Sequence, residues 1–96
     1  MKQNSINILD CTLRDGGYLN NWDFGADSIE SALKNLALAG IDYIECGFLK
    51  EASTNQDKTF FNSTEELEKI ILPNQNYTLM VNLGEYNISN FKECKN

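Results

Sequence analysis

Apolar residues recur along this chain with two alternating periods. Residues 6–13 alternate as a strand does, with Ile6, Ile8, Asp10 and Thr12 on one face and Leu9, Cys11 and Leu13 on the other. Residues 27–39 switch to helical spacing: Ile29, Ala32, Leu33, Leu36 and Ala37 form one stripe, Asp27 and Glu30 make a capping-box pattern at its start, and Gly40 ends it. A second strand follows over residues 41–49, with Ile44, Cys46 and Phe48 on one face and Tyr43, Glu45 and Gly47 on the other. Ser63 and Glu66 then open a short helix that runs to Leu72 and stops at Pro73, and residues 77–83 form a third strand. A further helix is expected over residues 89–94.

Two polar stretches separate these elements. Residues 15–25 are rich in glycine and asparagine and carry Tyr18, Trp22 and Phe24; a connection of this length hints at a functional loop, with Trp22 and Phe24 as anchors. Residues 50–62 form the second loop.

Strand, helix, strand, helix, strand in this order implies right-handed βαβ crossovers and a parallel sheet. The C-terminal ends of the strands then share one edge, which collects Arg14, Asp15, Glu45, Asn82 and Glu85. Ligands bind at that edge both in open α/β sheets and in closed barrels. The polar residues on the strands favour a barrel. An open sheet covered on both faces would press Asp10 and Glu45 under apolar side chains, whereas a barrel leaves Asp10, Thr12 and Glu45 at the mouth of its interior. Arg14 is then placed to pair with Glu45 across neighbouring strands.

Composition narrows the choice of ligand. With 14 acidic against 8 basic residues the net charge is −6, which argues against nucleic acid and anionic membranes as partners. No apolar run approaches a membrane-spanning length, and MKQNSIN lacks the apolar region of a signal peptide, so the cytoplasm is the expected compartment. Cys11, Cys46 and Cys94 form no CxxC pair and are expected to be reduced packing residues. The chain contains no histidine to activate a nucleophilic thiol.

The segment DCTLRDGG, followed about thirty residues later by IDYIECGF, resembles the N-terminal part of the metal-dependent lyases, aldolases and acyltransferases built on a TIM (β/α)8 barrel. That family includes hydroxymethylglutaryl-CoA lyase, isopropylmalate synthase and 4-hydroxy-2-oxovalerate aldolase. The resemblance runs from Ile8 to about Tyr86 and implies that residues 1–96 are an incomplete portion of the barrel, three strands of about eight. It implies an enzyme that makes or breaks a carbon–carbon bond next to a carbonyl through an enolate, with a 2-oxo acid or related compound as substrate. Asp15 would ligate a divalent metal, Mg²⁺ or Mn²⁺; Arg14 would stabilise the enolate; Glu45 would orient Arg14; Asp10 would support the metal ligand from behind. Tyr18 stands where acyltransferase members have glutamine and oxovalerate aldolases a histidine, and it is either a substrate contact or an aromatic plug. The family's His-x-His metal ligands have no counterpart in this chain, so the metal site is expected to be incomplete and the chain inactive alone. The alternative is a non-catalytic binding or assembly module that keeps the half-site. In either case uncovered sheet edges are expected to drive self-association.

Overall fold

The structure, a computed structural model, describes residues 6–87 and Ser89. Its centre is β2 (Tyr43–Leu49), where Ile44, Cys46, Phe48 and Leu49 are buried. Every strand paired with β2 runs parallel to it: β1 (Leu9–Asp10), β3 (Phe60–Phe61) and β4 (Asn76–Met80). Tyr43 faces both Leu9 and Asn76, and Phe48 faces both Phe60 and Met80. Thus β4 takes one edge of β2, while β1 and β3 follow one another along the opposite edge. The chain is an α/β fold with a parallel sheet, as the alternation of periods requires. The helix expected over residues 89–94 lies outside the described residues except for Ser89.

Helix α2 (Ala26–Leu38) buries Ile29 and Leu33 completely and packs them against Ile44 and Cys46 of β2. Its apolar stripe is the expected one, but its start is not. Gly25, at φ 85°, precedes the first turn, and the free amide of Ala26 donates to Asp57 Oδ1 at 3.0 Å. The cap therefore comes from a loop thirty-one residues away instead of from Asp27. Gly40 ends the helix region at φ 81°, a left-handed conformation that glycine adopts without strain. Helix α3 (Thr64–Glu68) is shorter than expected, and Glu66 reaches back to the amide of Asn62 at 2.7 Å while Ser63 makes no side-chain cap.

Three further expectations need correction. The first strand is only two residues long, because the Asp10 carboxylate accepts from both the amide and the hydroxyl of Thr12, each at 3.0 Å, and turns the chain into α1 (Thr12–Asp15). Amides of Arg14 and Asp15 close that turn on Cys11 O, at 3.1 and 2.7 Å, and Leu13 swings into the core. The faces of this strand are also exchanged. Leu9 lies opposite Tyr43 and Asp10 opposite Ile44, so Asp10 shares the helix-covered face and Leu9, half exposed, shares the face of Tyr43. Finally, the second polar loop contains β3, whose backbone accepts Phe48 N and Lys50 N at 2.9 and 2.8 Å through Thr59 O and Phe61 O.

The alternation within β2 breaks at Gly47. Its φ of 143° coincides with the register shift against β4 between Glu45 and Phe48. After this bulge Leu49 joins Leu67 on the helix side, and Phe48 turns instead to the rings of Trp22 and Phe60. Among the described residues no helix is long and apolar enough to cross a membrane.

Candidate functional site

Short β1 followed at once by α1 places Arg14 over the middle of β2. Its Nε donates to Glu45 Oε1, and its Nη1 lies 3.5 Å from Asp15 Oδ1. Glu45 is 8% exposed, and as a carboxylate within the strand it needs a cationic partner to tolerate burial. Arg14 meets that need and is itself held charged: the Glu45 hydrogen bond raises the guanidinium above its ordinary range, with the nearby Asp15 charge adding to the effect. A guanidinium has five N–H donors, and Glu45 occupies the Nε end, so donors on the terminal nitrogens remain for a ligand.

The expected cluster is thus partly assembled. Arg14, Glu45 and Asp15 come together, with Asp15 largely exposed at the rim. Asp10 does not join them; its carboxylate is engaged with Thr12 on the other face of the strand. Tyr18 sits in the 3-10 turn over Gly16–Leu19, 70% exposed, its ring edge-on to Trp22 at 4.9 Å. Trp22 anchors the loop from below: its indole Nε1 donates to Arg14 O at 2.6 Å, so the ring braces the turn that carries Arg14. Gly17 makes room for this, since a Cβ there would collide with the indole.

Two groups at the site go beyond the residues expected from the sequence. Cys11 lies beside both Arg14 and Glu45, half-buried; partial burial and the Glu45 charge push its thiol up and keep it protonated, with Arg14 opposing. The exchange of faces in β1 brought it there. The second is Lys50, immediately after β2, whose Nζ lies 3.6 Å from Glu85 Oε2 and 4.7 Å from the centroid of Phe60. Like Asn82 and Glu85, Lys50 stands at the C-terminal edge of the sheet, because it follows β2 directly.

Lys50, Asn82 and Glu85 meet the rings of Tyr18, Trp22, Phe48 and Phe60 around a cleft of about 160 Å³. Larger hollows lie away from this edge, one of about 440 Å³ between α3 and β4 and one of about 420 Å³ between α2 and α3. Both lie in the helix layer.

Among the described residues no group of three or more histidine, cysteine, aspartate or glutamate side chains gathers as a metal site. Asp15 is a single exposed carboxylate already near a guanidinium, and such a donor set does not by itself hold a divalent ion. What the arrangement offers is an oriented, permanently charged guanidinium at the end of a parallel strand. In comparisons with known proteins, no family model, no curated protein and no solved structure matches the chain.

Proposed function

We propose that the chain forms the enolate-binding part of a carbon–carbon lyase of the aldolase type, acting on a 2-oxo acid or related carbonyl compound, within a TIM-barrel architecture. The observation that carries this reading is the buried Glu45 that fixes Arg14 by its Nε edge and leaves its terminal N–H groups for a ligand. When the bond next to a carbonyl breaks, the electron pair moves onto the carbonyl oxygen, and a preorganised cation at that oxygen lowers the barrier more than it tightens binding of the neutral carbonyl.

In this reading Arg14 meets the developing charge and Glu45 keeps its guanidinium from rotating away. Asp15, exposed at the rim, would be one ligand of a divalent ion such as Mg²⁺ or Mn²⁺, whose contribution when bound would be further positive charge near the enolate. Among the described residues no group of three or more metal-ligating side chains joins Asp15, and the roles of Arg14 and Glu45 follow from their own geometry. Tyr18, exposed at the mouth, offers a hydroxyl to the substrate.

The test is cleavage of a 4-hydroxy-2-oxo acid by the full-length protein that carries this chain, with added Mg²⁺ or Mn²⁺, followed by release of the shorter 2-oxo acid. Arg14→Ala should lower kcat by roughly a hundredfold or more, the loss typical of removing one donor to an oxyanion. Glu45→Gln should lower it less, because the amide can still accept from Nε. An undiminished rate in Arg14→Ala removes the guanidinium from the mechanism.

A further inference from the structure

The cleft beside the Arg14 turn has a wall and a rim of different chemistry. Trp22, Phe48 and Phe60 form a continuous aromatic wall, with centroid separations of 5.6, 5.7 and 6.0 Å, and Tyr18 extends it outward. The rim is polar and the two charged residues that line it pair with each other, while the Lys58 ammonium lies outside the lining, 5.8 Å from the Phe60 centroid. Lys50 faces Glu85 at 3.6 Å, Asn82 Nδ2 donates to Glu85 Oε1 at 3.0 Å, and the ammonium also covers Phe60.

Backbone bonds hold both parts in place. Trp22 N donates to Gly17 O at 3.0 Å and Thr59 N to Trp22 O at 3.0 Å; across the cleft Glu51 N donates to Glu85 O at 3.1 Å. A preformed wall spares a ligand much of the ordering it would otherwise impose. The volume, about 160 Å³, equals roughly five waters at about 30 Å³ each and suits one ring.

We propose that this cleft is a binding subsite for a neutral, ring-sized group bearing hydroxyls, its apolar face against Trp22 and Phe60 and a hydroxyl between Lys50 and Glu85. Charge balance selects a neutral ligand. An anion entering here must displace Glu85 from Lys50, and a cation must displace Lys50 from both Glu85 and Phe60. A hydroxyl accepts from the ammonium and donates to the carboxylate at once, so it replaces water without breaking the pair. Because the indole of Trp22 also braces Arg14 O, the cleft adjoins the turn that carries Arg14, and its role as the pocket for the distal end of the substrate rests on the lyase reading.

Binding is measured without turnover, so failure of the lyase assay and failure of this subsite are separate results. Trp22 is the only tryptophan, and its fluorescence and indole N–H resonance report on the cleft directly. The full chain is titrated with 4-methylphenol and methyl β-glucopyranoside, which separate a phenolic from a sugar source of the same chemistry, and with benzoate and benzylammonium as charged counterparts. The proposal expects one of the two neutral probes to bind at millimolar concentration, more tightly than either charged one. Lys50→Met and Phe60→Leu should each weaken that binding about fivefold, the effect of one lost hydrogen bond or contact of about 1 kcal/mol. Asn82→Ala serves as a second rim variant should either of these fail to fold. No response of Trp22 to the neutral probes, tighter binding of a charged probe, or unchanged affinity in folded rim variants would overturn the proposal.

Discussion

Gly47 is the residue on which the site's geometry depends most, and Gly47→Ala puts a number on it. At φ 143° an alanine leaves its allowed backbone regions, and its Cβ would meet Thr59 O, lie 2.7 Å from Thr59 Cβ and 3.0 Å from the Thr59 carbonyl carbon. The first neighbour is backbone, and Thr59 O also accepts Phe48 N at 2.9 Å, so relief requires β3 to move away from β2. Strain at such a φ costs about 1–3 kcal/mol, overpacking about 1–3, and the weakened bond about 1, for a total of about 3–7 kcal/mol. A domain of this length is stable by about 5–14 kcal/mol, so the change removes a large share of the total.

Urea unfolding followed by Trp22 fluorescence measures the change, because the indole contacts a phenylalanine ring of each strand, Phe48 edge-on and Phe60 tilted. With a slope of about 1–1.5 kcal/mol per molar, the midpoint should fall by about 2 M or more. Gly40→Ala is the control: its φ is 81° but nothing lies within 4 Å of the added Cβ, so only the backbone penalty of roughly 1–2 kcal/mol applies. Equal midpoints for the two variants would refute the close approach of Thr59 to the bulge.

Two other outcomes follow from buried groups. Burial first, then the charges of Glu45 and Asp10, push the Cys46 thiol from 9.0 up to about 12, so the folded chain keeps a proton that the unfolded chain releases. The Cys46 contribution to stability is therefore constant below pH 9 and falls between pH 9 and about 12, by at most about 1.4 kcal/mol per pH unit; Cys46→Ala should flatten this decline relative to the native chain, and an identical pH dependence would contradict it. Thr59 is fully buried and its hydroxyl donates to Leu13 O at 2.8 Å, so Thr59→Val strands a carbonyl and should cost about 1–3 kcal/mol; an unchanged melting temperature by calorimetry would show that the bond contributes nothing.

Much of the architecture is legible because one period dominates each long element. Ile29 and Leu33 recur at helical spacing and do face the core, and Glu45 stands out as a carboxylate in an otherwise apolar strand that calls for a cation. The parallel arrangement then brings Arg14 to it. What escapes is set by partners distant in sequence. Asp57 caps α2 from another loop, and nothing near Asp27 reveals that.

The short strands fail for a different reason. A two-residue strand carries no period, so Phe60–Phe61 is hidden in a polar stretch, and the Asp10–Thr12 bonds turn the chain before the alternation of residues 6–13 can set its faces. One residue of register decides whether Asp10 or Cys11 stands by Glu45. The bulge at Gly47 adds a second reversal, which moves Phe48 from the expected helix face to the aromatic wall of the cleft. Gly47 itself was the available signal, since a glycine inside an apolar strand marks a bulge or a close backbone approach.

The central claim is that Arg14, fixed by Glu45, stabilises an enolate. Exchange of the methyl protons of pyruvate for deuterium in D₂O tests it most directly, because exchange requires the enolate and no bond to a second substrate. With Mg²⁺ or Mn²⁺ present, proton NMR should show the methyl signal decaying faster with the full-length protein that carries this chain than in buffer with the same metal, and Arg14→Lys should abolish the difference, since an ammonium cannot keep Glu45 on one edge and offer a planar pair of donors on the other. No acceleration by the full-length protein, or equal acceleration by its Arg14→Lys variant, would contradict the claim.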